Sequence, residues 1–103
     1  MGRKRPERTA RRIDDRAARA LVRDREKLAA LSPGGARAHP IEVTSAAVVE
    51  VRVGALPCPQ CGGEYRIKEH ASVEAGLRRL DVKCNLCGTP RTLWFRLVSD
   101  EPN

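Results

Sequence analysis

Four cysteines, arranged as two pairs of equal spacing, carry the most specific chemistry in this 103-residue chain. The pairs are Cys58-Pro-Gln-Cys61 and Cys84-Asn-Leu-Cys87, and the chain contains no other cysteine. A tight turn with this spacing directs both sulfurs at one metal ion, and two such turns complete a closed tetrahedral zinc site. We therefore predict that these four thiolates bind one structural Zn²⁺. Iron, which similar cysteine pairs bind in rubredoxin-like sites, is the alternative metal.

A glycine follows the second cysteine of each pair, as Gly62 and Gly88. At this position the turn requires a positive φ, which a side chain resists, and nearby N–H groups can then point towards the sulfurs. The pattern Cys-Pro-x-Cys-Gly, a β-hairpin, Cys-x-x-Cys-Gly and a further strand resembles the zinc-ribbon family over residues 56–98. This resemblance implies a three-stranded antiparallel ribbon, but members of the family serve in transcription, in translation and as docking modules of enzymes, so it indicates little about function.

Alternating residues between and after the cysteines predict the strands of this ribbon. We place them at residues 64–70, 77–83 and 91–98, with a turn over 71–76. The chain's only aromatic residues, Tyr65, Trp94 and Phe95, are expected to form most of its core. Upstream, Ile41 to Val53 also alternates, which predicts an extra N-terminal β-strand, or two short strands, that extends the ribbon's sheet or pairs with another chain.

The segment 7–31 lacks internal glycine and proline and is rich in residues that favour helices, so it predicts one long α-helix. Its residues predict an amphipathic helix with two distinct faces. The apolar face, called here the seam, comprises Ala10, Ile13, Ala17, Ala20, Leu21, Leu28 and Leu31. The basic face, called here the arginine stripe, comprises Arg5, Arg8, Arg12, Arg16, Arg19 and Arg23. At about 100° per residue their centres lie about 135° apart.

The arginine stripe has three interpretations. It can be a solvated surface, as expected in arginine-rich proteins of high-GC bacteria, or it can contact the phosphates of a nucleic acid. It can also dock on an acidic protein. Most of the net charge of +7 lies in this part of the chain, because residues 1–31 hold 11 Lys/Arg and 5 Asp/Glu. This asymmetry is typical of a basic arm that binds a polyanion and is attached to a nearly neutral module.

These features divide the chain into a disordered basic arm (1–6), the helix (7–31), a linker (32–40), the strand with the ribbon (41–98) and a tail (99–103). The sequence has neither a secretory signal nor a long apolar segment, so we expect a cytoplasmic protein with no membrane contact. It also has no catalytic constellation, which indicates a binding protein rather than an enzyme and no small-molecule substrate. The expected partner is nucleic acid or a nucleoprotein machine such as the ribosome or RNA polymerase. The alternative is an adaptor or accessory subunit that docks on a protein through the seam or the ribbon.

Overall fold

The computed structural model describes residues 7–98, with only the backbone of residues 7 and 8. The predicted arm (1–6) and tail (99–103) lie outside the described residues. Two helices and four strands follow one another along the chain. They are α1 (Glu7–Leu31), β1 (Ile41–Val43), α2 (Ala46–Ala55), β2 (Tyr65–Glu74), β3 (Leu77–Cys84) and β4 (Pro90–Leu97). The predicted long helix is therefore present over the residues expected for it, and the segment 32–40 contains neither helix nor strand.

The strands form one sheet in the order β1-β4-β3-β2. Strands β2, β3 and β4 pair antiparallel, as predicted, whereas β1 pairs parallel with β4 through Ile41–Phe95 and Val43–Leu97. The sheet is therefore mixed rather than purely antiparallel, because the extra strand β1 runs parallel to its neighbour β4. The hairpin between β2 and β3 turns over Ala75 and Gly76 alone, so the predicted turn over 71–76 was too long.

The prediction of strand structure throughout Ile41 to Val53 was wrong beyond β1, because residues 46–55 form helix α2. Val49 and Val53 are fully buried, whereas Val51 is 72% exposed. Residues four apart lie on one face of a helix, whereas residues two apart do not. Val49 and Val53 would share one face in a helix and also in a strand. Only the exposure of Val51 distinguishes the helix from the strand.

The core lies on one face of the sheet, which α2 covers. Leu80, Val82, Leu93 and Phe95 point to this face and pack with the two buried valines of α2. Trp94 alternates with its neighbours along β4, so it lies on the opposite face and is only half-buried. Tyr65 and Phe95 are therefore core residues as predicted, but Trp94 does not belong to the core cluster.

Helix α1 meets the body of the protein only near its C-terminal end. Strand β1 covers just the last part of β4, and the earlier edge of β4 lies beside the end of α1 and the segment that follows it. There the Trp94 N–H donates to the Gly34 carbonyl at 2.9 Å. Within the described part of α1, Ala29 is the one buried residue. Among these same residues, no helix combines the length and apolar character needed to cross a bilayer.

The burial of α2 generates a prediction that distinguishes a helix from a strand. Val49→Ala should lower the free energy of unfolding by about 2 kcal/mol, because it deletes two methyl groups from a filled site. Val51→Ala is the matched control and should change it by less than about 0.5 kcal/mol. Urea unfolding of the two variants measures the difference. Equal destabilisation would contradict the helix, since a strand would place both valines on the same face.

Candidate metal centre

The two cysteine-bearing turns have the same backbone structure. In the first, the Gly62 N–H donates to the Cys58 carbonyl at 2.7 Å, and the Cys58 N–H donates to the Gly63 carbonyl at 2.9 Å. In the second, Gly88 donates to Cys84 at 3.0 Å, and Cys84 donates to Thr89 at 3.0 Å. Gly62 and Gly88 both have a φ of 77°, as predicted from their positions. The glycines therefore close the turns in a conformation that other residues adopt only at a cost.

The four cysteine sulfurs converge at the end of the sheet where these turns meet. All four Sγ atoms lie within 4.8 Å of one another. The Cys58 and Cys87 sulfurs are 3.8 Å apart, and those of Cys61 and Cys84 are 3.4 Å apart. Four sulfurs at about 2.3 Å from a tetrahedral metal are about 3.8 Å apart. The cluster therefore fits a four-coordinate ion, and the structure brings the four predicted ligands together.

Hydrogen bonds from backbone N–H groups stabilise negative charge on the sulfurs of this cluster. N–H groups of Gly63, Leu86 and Cys87 donate to Cys61 or Cys84 at 3.4 to 3.5 Å. The hydrogen bond with the Thr89 side chain is the largest of the effects that lower the pKa of the Cys87 thiol to about 6, which favours its thiolate form. At Cys61 the hydrogen bond from the Gly63 N–H lowers the pKa of the thiol. Hydrogen bonds with Cys84 and the other thiols, together with burial, raise it to about 11 overall. A bound metal would replace the proton of Cys61.

Tyr65 supplies a further polar group beside the cluster. Its hydroxyl is buried and has no hydrogen-bond partner among the described residues. Burial is the main reason that its pKa rises to about 12; the nearby charge of Arg91 lowers this pKa, and Cys58 raises it. The hydroxyl therefore remains protonated and can donate to an anionic sulfur. An unpaired buried donor is costly, and a thiolate at Cys58 offers it an acceptor.

Gly63 is a structural requirement of the centre that the sequence reasoning missed. A Cβ atom at this position would lie 2.8 Å from the Leu86 Cβ, 3.0 Å from the Cys84 sulfur and 3.2 Å from the Cys61 sulfur. The two turns can therefore approach each other only because residue 63 has no side chain. The signal in the sequence was the second glycine of Cys61-Gly62-Gly63, which has no counterpart after Cys87.

The first cysteine turn also anchors the end of α1. Gln60, which lies between Cys58 and Cys61, donates from its side chain to the Val22 carbonyl at 3.0 Å and to Glu26 at 2.6 Å. In return, Arg25 donates to the Gln60 carbonyl at 3.0 Å. The helix is therefore attached to the backbone of the metal-binding turn itself.

Arg91 completes this attachment. Both of its terminal nitrogens donate to the Glu26 carboxylate, at 3.1 and 2.6 Å, and its side chain is only 9% exposed. The hydrogen bond from Arg91 is the largest of the effects that lower the pKa of Glu26, followed by that from Gln60. Arg91 lies only four residues after Cys87, where a basic residue could have offset thiolate charge. Arg91 instead forms a bidentate ion pair with α1.

The structure describes the side chains of four residues of the arginine stripe. Arg12, Arg16, Arg19 and Arg23 are exposed, and none takes part in an ion pair with another described residue. Arg5 and the side chain of Arg8 lie outside what the structure describes. The structure thus places four members of the stripe on solvent-exposed positions of α1, and their proposed contact with phosphates stays a prediction.

Comparisons of this chain with protein-family models, with curated proteins and with solved structures found no match. The fold and the cysteine cluster define a small domain with a candidate metal-binding centre.

The close approach at Gly63 predicts a loss of metal affinity without the loss of any ligand. Gly63→Ala forces the two turns apart, so we expect metal binding to weaken by at least about tenfold, as found for residues that orient metal ligands. Gly54→Ala is the matched control, because a Cβ there has nothing within 4 Å. Titration with Co²⁺, followed by its visible absorption, measures both affinities. Equal affinity in the two variants would show that the turns do not need this contact.

Proposed function

We propose that the centre holds one structural Zn²⁺ through Cys58, Cys61, Cys84 and Cys87, and that β2–β4 form a zinc ribbon around it. The observation that supports this is a closed set of four sulfurs with tetrahedral spacing, to which residues 7–98 add no fifth cysteine, histidine or carboxylate. A full thiolate shell leaves no open position for substrate, which is typical of structural rather than catalytic zinc. Iron in a rubredoxin-like site is the alternative; four thiolates would hold it in the same geometry, and its visible absorption would distinguish it from zinc.

Structural zinc in so small a fold should be essential for folding. The apolar core is small, and metal binding contributes on the order of 10 kcal/mol in comparable thiolate sites. Cys61→Ser or Cys87→Ser should therefore unfold β2–β4. Elemental analysis of the purified chain should find one zinc per molecule, and circular dichroism should report the unfolding of the variants. A well-folded protein that contains no metal would refute this part of the proposal.

We further propose that the protein binds nucleic acid, alone or within a nucleoprotein machine, through the arginine stripe of α1. The observation that carries this proposal is the way α1 is attached to the body. Its contacts come from Val22, Arg25, Glu26 and Ala29. On a helical projection this attached face is centred about 90° from the stripe and about 140° from the seam. The fold thus uses a third face of the helix and leaves the stripe open to solvent.

The geometry of the open stripe suits a phosphate backbone. Its described members follow one another at steps of four, three and four residues, which is about 4.5 to 6 Å along a helix. Each guanidinium can donate two parallel hydrogen bonds to one phosphate. Because no described acidic residue pairs with these arginines, their charge remains available to a polyanion.

Salt dependence provides the test, since each neutralised phosphate releases counterions. The slope of log K against log salt should be about −0.9 for each contact with a duplex. Arg12→Ala with Arg16→Ala should make that slope shallower by about two units and weaken binding to all sequences alike. Arg52→Ala, which removes an exposed charge from α2, is the control and should leave the slope unchanged. No binding to DNA or RNA at low salt would exclude the proposal.

A protein partner is the second candidate function, because the seam is also open. Ile13 and Leu21 are 47% and 49% exposed, and Leu28 is 66% exposed. In an adaptor, Ile13→Asp or Leu21→Asp would abolish partner binding, while the arginine substitutions would do little. If the protein instead binds nucleic acid through the arginine stripe, the same two substitutions would leave its phosphate contacts in place. Copurification before and after nuclease treatment, performed on these variants, separates the two functions.

A further inference from the structure

A cleft of about 620 Å³ lies between the end of α1 and the outer face of the sheet. Ala30 and Glu26 form its helical wall, and β2, β3 and β4 supply the opposite one. Ala30 lies seven residues after Arg23, two helical turns further along the same face. The arginine stripe therefore leads directly into this cleft.

The walls of the cleft carry positive charge that no described acidic residue neutralises. Lys68 and Lys83 line it, both side chains are exposed, and neither forms an ion pair with a described residue. The two acidic residues that line the cleft already form ion pairs with arginines of the protein. Glu26 is bound by Arg91, and Asp81 pairs with Arg79 at 3.4 Å. The available charge in the cleft is therefore that of the two lysines.

Trp94 lies in the same cleft and is the only tryptophan in the chain. It lies on the outer face of β4, whereas the other two aromatic rings are buried in the core. The Arg37 guanidinium lies over the indole, 5.7 Å from the ring centroid. The Arg37 side chain is 54% exposed and pairs with Glu74 at 3.3 Å, so the guanidinium and the indole together present a flat surface beside the cleft. A planar base can stack on such a surface, whatever its identity.

From this arrangement we propose that the cleft is a base-stacking site for single-stranded nucleic acid. This inference rests on the proposed function of the arginine stripe and specifies its ligand. Phosphates follow the stripe on α1 and then pass between Lys68 and Lys83, while one unpaired base stacks at Trp94 and Arg37. Duplex bases are stacked on each other and shielded by the backbone, so a duplex would reach the stripe without using the ring.

The single tryptophan makes the test direct. A short oligothymidylate of about ten nucleotides and a duplex of equal length are titrated into the full zinc-loaded chain at low salt, with fluorescence anisotropy and tryptophan emission recorded together. We expect the single strand to bind more tightly and to quench Trp94. Trp94→Ala should weaken single-strand binding about tenfold or more, as loss of one stacked base does. Trp94→Phe, which retains a ring, should lose less.

Lysine variants locate the path of the phosphates. Lys68→Gln with Lys83→Gln should weaken binding of the single strand and leave duplex binding through the stripe almost unchanged. Lys27→Gln is the matched control, because it removes an exposed lysine of α1 that does not line the cleft.

The outcomes separate this inference from the function on which it rests. Preference for the duplex, or binding of the single strand with unchanged tryptophan emission, would overturn the stacking site while the stripe remains a phosphate-binding surface. Failure of both oligonucleotides to bind at low salt would overturn the stacking site and the stripe together. Because emission is measured on the unaltered chain, the test does not depend on whether the Trp94 variants fold.

Discussion

Four sulfur atoms within 4.8 Å of one another repel each other strongly as thiolates unless a cation lies among them. Their convergence joins residues 58–61 to residues 84–87 and so fixes the distance between the two ends of the β2–β3 hairpin. The buried core beneath is small, and most of α1 contributes nothing to it. The thiolate centre is thus the constraint that sets the position of the sheet, of Gln60 and, through Gln60, of the helix. Small sheets with so little apolar core commonly need such a staple.

Local patterns in the sequence predicted the elements that local forces determine. The bounds of α1 followed from a run of helix-favouring residues ending at Ser32-Pro33, and the two cysteine turns followed from spacing and from Gly62 and Gly88. The β-hairpin followed from alternation, although its turn proved shorter than predicted. Where helical and strand periods coincide, as at Val49 and Val53, the pattern alone could not decide, and tertiary packing determined the helix.

Long-range contacts could not be predicted, because nothing near them in the chain marks them. Glu26 and Arg91 are 65 residues apart, and Gln60 is 34 residues from Glu26. The sequence around each of these polar residues contains no signal of a partner, so only the fold shows that they are in contact. The same holds for the cleft, where Trp94 is separated in sequence from Arg37 and Lys68. The metal ligands were found because their chemistry repeats locally, and the surfaces around them were not.

The attachment of α1 by Gln60 and Arg91 has a mechanical consequence. The contacts described between α1 and the body of the protein lie at Val22 and beyond, so residues 7–21 extend about 22 Å past this pivot. A tilt of ten degrees at the pivot would therefore displace the tip by about 4 Å, close to the rise of about 3.4 Å per nucleotide along one strand. Since Gln60 belongs to the first cysteine turn, a small shift of that turn would be amplified along the helix, and in the proposed complex with nucleic acid it would correspond to about one nucleotide at the far end.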